Sequence, residues 1–422
     1  MLHASRLLAA TVALLALGLP ATNADDRIQH HTLLLTWQQD PTTTMTIQWL
    51  ERSHEDRLDP IPQPVELAYR HEQQQDFRHA TTSVHEMQQW PDRFRQRVEL
   101  TGLEPDTTYH FQIPGLDRTF RFRTMPTDLR EPIRFATGGC VRHWQGWMEQ
   151  MNRQVMQYDI DFVVWGGDLA YANGSQENLD RWEEWFHANH NALIDDDGRV
   201  VPIIVGIGNH EVPGGYLVGR DDYEPTDAYR GAHAPYFFQL FAFPGQPGYN
   251  VLDFGDYLSL VVLDTAHANP IPGDQADWLA DTLARRHDVP HVFPVYHVPA
   301  YPSARAYDAF FNVQIREHWV PLFERHGVEV VFESHDHAYK RTPPIREGRV
   351  DPARGVVYMG DGAWGVRLRE VHDVDATWYL HRAESVRHGI IVTLHGRQRH
   401  MLAVDIDGRV IDEYPARPAE GR

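Results

Sequence analysis

The chain has 422 residues, 42% hydrophobic and 23% charged, with 30 Gly and 28 Pro. This composition excludes a wholly disordered, collagen-like or coiled-coil protein, and the length suggests two or three domains. A formal charge of −20, from 39 Lys+Arg against 59 Asp+Glu, argues against general affinity for a nucleic acid duplex or an anionic membrane.

Residues 1–24 read as a secretory signal peptide. A short basic start is followed by an apolar run from Leu7 to Leu19, and small residues then offer a cleavage site near Ala24. The run is too short for a good membrane anchor, and no later stretch is long and apolar enough for a membrane span. Cys140 is the single cysteine, so no intrachain disulfide forms. That fits a bacterial periplasmic or secreted protein better than an animal ectodomain.

From residue 25 to 127 the pattern is short and β-like. Runs at 33–37, 44–50, 65–69, 97–100, 108–113 and 119–124 are rich in β-formers and separated by turn residues. Such spacing predicts an all-β antiparallel sandwich. The segment Leu103-Glu-Pro-Asp-Thr-Thr-Tyr109 resembles the tyrosine corner of fibronectin type III domains, where the phenol bonds back to the preceding turn. No catalytic type of ionisable cluster is evident here, so this region reads as scaffold or substrate rim.

Residues 128–422 change period. Strand-like runs at 133–137, 161–165, 201–207, 257–263, 291–296, 328–332 and 356–359 alternate with stretches suited to helices at 144–158, 275–286 and 303–326. Alternation of this kind predicts an α/β domain with helices on both sheet faces. Runs at 390–394, 401–404 and 410–411 look like closing antiparallel strands.

The residues with chemistry to offer sit just past the strand ends. One strand ends at Cys140, the next leads into Gly-Gly-Asp168-Leu-Ala-Tyr171, and a third into Gly-Asn209-His210-Glu211. Two more end at His297 and at His335-Asp-His337. Ligand sites form at the carboxyl ends of strands in an open α/β sheet. The mixture of Asp, Tyr, Asn and His suits Fe, Mn or Zn, and paired cations clamp both reacting oxygens of a phosphoryl displacement. Bound metal also gives an anionic ester a local field opposite to that of the whole chain.

The ordered series Gly167-Asp168-Leu-Ala-Tyr171, Gly208-Asn209-His210-Glu211, His297-Val-Pro-Ala-Tyr301 and Ser334-His335-Asp-His337 resembles the calcineurin-like metallophosphoesterases, and the purple acid phosphatase branch in particular. The resemblance implies a fibronectin III-like sandwich followed by a four-layer αββα domain. It also implies an exported enzyme that hydrolyses small-molecule phosphate monoesters by attack of metal-bound hydroxide. The implied cofactor is a binuclear metal centre of Fe(III) plus a divalent Fe, Zn or Mn. Asp168 would bridge, Tyr171 and His337 would complete the ferric site, and Asn209, His297 and His335 would hold the divalent ion. His210 would give a proton to the leaving oxygen, with Glu211 either orienting it or structural. His143, Asn173 and Tyr301 are candidate substrate contacts, and His143 is alternatively a substitute ligand.

Three departures from the family pattern stand out. Cys140 occupies the place of an aspartate, Ser334 that of a glycine, and residues 301–307 lack a histidine pair found in plant-type members. Cys140 reads as a bland buried thiol, a lost ligand or a thiolate ligand, and a cysteine here also resembles PhoD-type enzymes. The alternatives to a monoesterase are a phosphodiesterase acting on nucleotides or phospholipid head groups, and a catalytically silent phosphate-binding or surface protein.

Overall fold

A computed structural model describes residues 28–53, 61–245 and 248–415. The expected leader lies outside these residues. Strands from the first region form two four-stranded antiparallel sheets. One runs Ile28–Thr36, Met45–Arg52, Arg93–Leu100, Ser83–Glu86 in spatial order, and the other Arg78–Thr81, Glu66–His71, Thr108–Gln112, Thr119–Arg123. Leu35, Ile47, Leu67, Val98, Phe111 and Phe122 are buried in their shared core. The Tyr109 hydroxyl accepts the Glu104 N–H at 2.9 Å, giving the back-bond expected of the tyrosine corner. Two strands escape the sequence pattern, Arg78–Thr81 and Ser83–Glu86. Both lie at sheet edges and are largely exposed, so they carry little apolar pattern to read.

The second region holds two larger sheets. The first is ordered Ile203–Val205, Phe162–Trp165, Ile133–Gly138, His388–His395, Gln398–Asp405, Val410–Tyr414. Its first three strands are parallel and the rest antiparallel. The other sheet is ordered Asn250–Phe254, Leu258–Val262, His291–Val295, Val330–Glu333, Val357–Gly360, Tyr339–Arg341, Arg382–Glu384. Its central run from Leu258–Val262 to Val357–Gly360 is parallel.

Phe135, Phe162, Val164, Leu260, Phe293, Phe332 and Val392 pack between the two sheets. The helices Gln145–Met156 and Leu179–Leu193 cover the outside of the first sheet. Asp274–Ala284, Phe310–His318 and Val320–Arg325 cover the outside of the second. Helices therefore lie on one face of each sheet, because the other face is already buried by its partner sheet. The layers are helix, sheet, sheet, helix, as the family resemblance implied. Trp37 joins the two regions, its ring meeting Phe162 and Phe254 edge-on at 5.8 and 5.7 Å.

The helical expectation for 303–326 holds only from Phe310 onward. The backbone N–H of Ser303 is taken by Asp361, and those of Ala304 and Arg305 by Asp336. Carboxylate bonding of these donors holds the segment as a loop. The helix Leu179–Leu193 is absent from the sequence-based expectation, since its His and Asn residues are indifferent helix formers. Its buried face of Trp182, Trp185, Phe186 and Asn189 follows helical spacing. Burying each large apolar side chain is worth roughly 1.5–3 kcal/mol, which outweighs tenths lost in propensity.

Candidate metal centre

The parallel strands of both sheets end at one edge, and the candidate donors leave from those ends. Ile133–Gly138, Phe162–Trp165 and Ile203–Val205 deliver Cys140, Asp168 with Tyr171, and Asn209. His291–Val295 and Val330–Glu333 of the facing sheet deliver His297, and His335 with His337. The fold therefore brings together all seven expected ligands.

Asp168 sits at the middle. One carboxylate oxygen accepts the His210 N–H at 2.8 Å. The other lies 3.1 Å from His297 Nε2 and 3.9 Å from Cys140 Sγ. His297 Nε2 is also 3.0 Å from Asn209 Oδ1 and 3.1 Å from His335 Nδ1. On the opposite flank, Tyr171 Oη lies 3.1 Å from His337 Nε2. Gly208 has no room for a side chain, because a Cβ there would meet the Asp168 backbone and carboxylate.

This donor set fits a cation. His297 Nδ1 faces the Gly166 carbonyl at 2.9 Å and His337 Nδ1 the Arg367 carbonyl at 3.0 Å. A carbonyl fixes the ring proton on Nδ1, so each Nε2 presents a lone pair inward. At His297 that lone pair points at carboxylate and amide oxygens, an arrangement of like partial charges that a positive ion relieves. One donor atom each from Cys140, Asp168 and His297 lies within 4.8 Å of the others.

Burial opposes protonation of His297, yet the Asp168 carboxylate raises its pKa. A proton there competes with a cation for the same lone pair, and the other two rings behave differently. Burial, then the nearby His297, hold His335 well below the usual histidine range. Burial, aided by His143, lowers His337 to about 3. Both rings are thus neutral donors at ordinary pH. Burial and the adjacent Asp168 push the Cys140 thiol up, and burial with Cys140 and Asp168 does the same to the Tyr171 phenol. Either becomes anionic here only beside a strong positive charge. Burial opposes ionisation of Asp168, yet the surrounding His297 and His210 hold its carboxyl well below the carboxylate range.

The remaining candidates fall in three places. His210 flanks the donors, its ring 4.1 Å from that of Tyr171. Its Nδ1 is 2.5 Å from Asn173 Oδ1. Of the two readings of Glu211, the geometry fits the structural one and not the catalytic one, since its carboxylate bonds backbone N–H groups rather than the His210 ring. Its two oxygens accept the backbone N–H groups of Asp168, Leu169 and Gly208 at 2.7–2.8 Å, so it shapes the ligand loops instead. His143 lies edge-on to Tyr171 at 4.2 Å. Its Nδ1 accepts the Arg367 N–H at 3.1 Å, which leaves Nε2–H as a donor rather than a lone pair for metal. Tyr301 is 2% exposed, packed against Tyr358 and Tyr379. As a core residue it does not line the cleft, a correction to its expected role as a substrate contact.

Residues 127–339 match the calcineurin-like phosphoesterase family. The chain belongs to it. Residues 31–124 match the purple acid phosphatase N-terminal domain. Purple acid phosphatase 18 of Arabidopsis thaliana is 27% identical over 303 residues, covering 68% of this chain and 62% of that protein. The alignment thus spans less than two thirds of that relative. Among solved structures, purple acid phosphatase PPD1 from yellow lupin seeds superposes with a TM-score of 0.74 at 18% identity, over 91% of this chain and 73% of that one. PhoD superposes with a TM-score of 0.63 at 15% identity, over 93% and 94%. Membership of the calcineurin-like phosphoesterases implies a binuclear metal centre.

Sequence reasoning about this phosphoesterase missed Arg305 and Tyr216. A cleft of about 420 Å³ opens beside the donors, lined by Asn173, Asn209, His210, Tyr216, Arg305 and His335. Arg305 Nε lies 3.3 Å from Asp336 Oδ1, with the side chain 37% exposed. It places a fixed cation at the cleft, in the very segment that lacks the plant-type histidine pair. Reading 301–307 for any cation, rather than for histidine, would have found it. Ser334 presses its hydroxyl toward Gly139 and Gly166, whose lack of side chains accommodates it.

Other framework residues lie just behind the centre. Asp264 accepts the N–H groups of His267, Ala268 and Asn269 at 2.7–2.9 Å. Gln275 bonds both the N–H and the carbonyl of Asp264. Asp361 is buried 3.3 Å from Lys340 Nζ. No helix among the described residues is long and apolar enough to cross a membrane.

Proposed function

We propose that the chain is an exported, binuclear metal-dependent phosphoesterase that hydrolyses small phosphate monoesters. The observation that carries this reading is the convergence of six donors around a seventh, the buried carboxylate of Asp168, with His210 and Arg305 facing the adjoining cleft. Tyr171 and Cys140 are potential anionic donors, which favours Fe(III) on their side. The neutral Asn209, His297 and His335 suit a divalent Fe, Zn or Mn.

When bound, the cations supply positive charge that acidifies a nucleophilic water and neutralises phosphoryl oxygens. The chain's own residues do the rest. Arg305 binds the ester's charge at the cleft. Asn173 holds the His210 ring through Nδ1. In its imidazolium form, favoured beside a phosphate dianion, His210 carries a proton on Nε2 for the leaving oxygen. His143 offers its Nε2–H to a phosphoryl oxygen.

Cys140 favours a second reading, a phosphodiesterase, because that residue resembles the PhoD-type first motif. Turnover of 4-nitrophenyl phosphate and bis(4-nitrophenyl) phosphate separates the two. The proposal predicts faster monoester cleavage, lost on chelation and restored by metal. Diester preference would install the second reading, and no turnover of either with metals loaded would contradict both.

A further inference from the structure

A second group of donors lies apart from the centre, where the N-terminal sandwich meets a helix of the second region. His31 leaves the strand Ile28–Thr36. Glu183 and His187 lie four apart on the helix Leu179–Leu193, and so share a face. One donor atom from each of the three lies within 4.8 Å of the other two. We propose that His31, Glu183 and His187 form a separate divalent-cation site, of the class that takes zinc, linking the two domains.

The pairwise geometry supports a site rather than a chance contact. His31 Nε2 is 2.9 Å from Glu183 Oε2. The other carboxylate oxygen accepts from Arg93 at 3.2 Å, the kind of outer hydrogen bond that orients a ligating carboxylate. A simple His31–Glu183 hydrogen bond would account for those two residues. It does not account for His187, whose ring stacks on His31 at 4.1 Å with an interplanar angle of 8°. Two imidazoles stacked so closely repel if both are protonated. Partial burial, then His31, lower the His187 pKa, so a lone pair is offered beside a carboxylate at neutral pH.

Two histidines with one carboxylate is an established zinc donor set, which leaves a coordination position for water. His31 and Glu183 already stand close enough for bonds of roughly 2.0–2.2 Å to one ion, and His187, on the exposed face, can rotate to complete the set. More imidazoles surround the three. His30 and His190 meet at 5.1 Å, and the buried Nδ1 of His190 has no hydrogen-bond partner among the described residues. The ligands come from a strand of one domain and a helix of the other. Binding therefore favours the docked, folded arrangement by mass action and requires no part in the hydrolytic chemistry.

The test uses the full-length holoprotein and zinc itself. Wild type and His187→Ala, with the catalytic centre loaded, are equilibrated with zinc and their metal is counted after gel filtration. Wild type should retain one zinc more per chain than His187→Ala. Its Tm should rise by a few degrees, roughly, when zinc reaches 100-fold over Kd, and that of the variant should not move. His31→Gln should match His187→Ala, and both should keep wild-type turnover. Equal zinc counts in all three proteins, or a Tm rise that survives both substitutions, would overturn the site.

Discussion

The two domains treat unusual backbone conformation differently. Among the described residues of the sandwich, the non-glycine ones with positive φ are Gln89, Asp92 and Asp106, all in turns. In the second domain, Asp159, Ala266, Glu347 and Asp361 also have positive φ, but six such residues are the proposed ligands and their neighbours: Cys140 at 52°, Asp168 at 57°, Tyr171 at 60°, Asn173 at 58°, His335 at 81° and His337 at 59°. Left-handed backbone at Cys, Tyr or His costs of order 1–3 kcal/mol each and persists only where the surroundings enforce it. Hydrogen bonds between the ligand loops supply that enforcement. Glu211 ties the Asp168 loop to the Gly208 loop, and the Cys140 N–H bonds the Gly167 carbonyl at 3.0 Å. Both domains pair strands regularly, but the second adds hydrogen bonds between loops that hold side chains at angles relaxed strands do not offer.

Substitutions should divide along that line. The largest effect is expected for Asp168→Asn, which removes the charge that the proposed centre shares between its two halves. Turnover should fall at least ~1,000-fold and metal content should drop in both halves. Two retained ions with near-normal turnover would take Asp168 out of the bridging role.

Trp37→Ala tests the other side of the comparison. The ring is 1% exposed and wedged against Phe162 and Phe254. Its loss should cost about 3 kcal/mol or more of unfolding free energy, while metal content and turnover of the folded fraction stay unchanged. A change in metal content would mean that the sandwich helps shape the centre.

His210→Ala should lower turnover ~100-fold without releasing metal. The loss should shrink for esters with good leaving groups, which need little protonation. An equal loss across leaving groups would assign His210 to positioning.

The smallest effect belongs to Tyr109→Phe. It deletes only the hydrogen bond from the Glu104 N–H, so thermal unfolding should report about 1 kcal/mol and kinetics should show nothing.

Much of the proposed centre is legible in the sequence because each candidate ligand follows a strand-like run. Chain order and the rule for strand carboxyl ends then place Asp168, Asn209, His297, His335 and His337 without knowledge of any contact. Glu211 and Tyr301 are different. Two of the three backbone N–H groups that Glu211 accepts, those of Asp168 and Leu169, and the tyrosines around Tyr301 come from distant segments, and adjacency to a motif does not reveal them. Arg305 is hidden for a related reason. Its loop is irregular because Asp336 and Asp361 capture the backbone donors of 303–305, whereas composition alone favours a helix. The edge strands of the sandwich carry too little apolar pattern to be read at all.

The central claim is that one carboxylate, Asp168, serves two cations at the joined edges of the two sheets. Anomalous diffraction from crystals of the metal-loaded protein tests it directly. The account predicts two peaks flanking the Asp168 carboxylate, roughly 3.5–4 Å apart, one toward Tyr171, His337 and Cys140 and the other toward Asn209, His297 and His335. A single peak, or a pair that does not share Asp168, would contradict it.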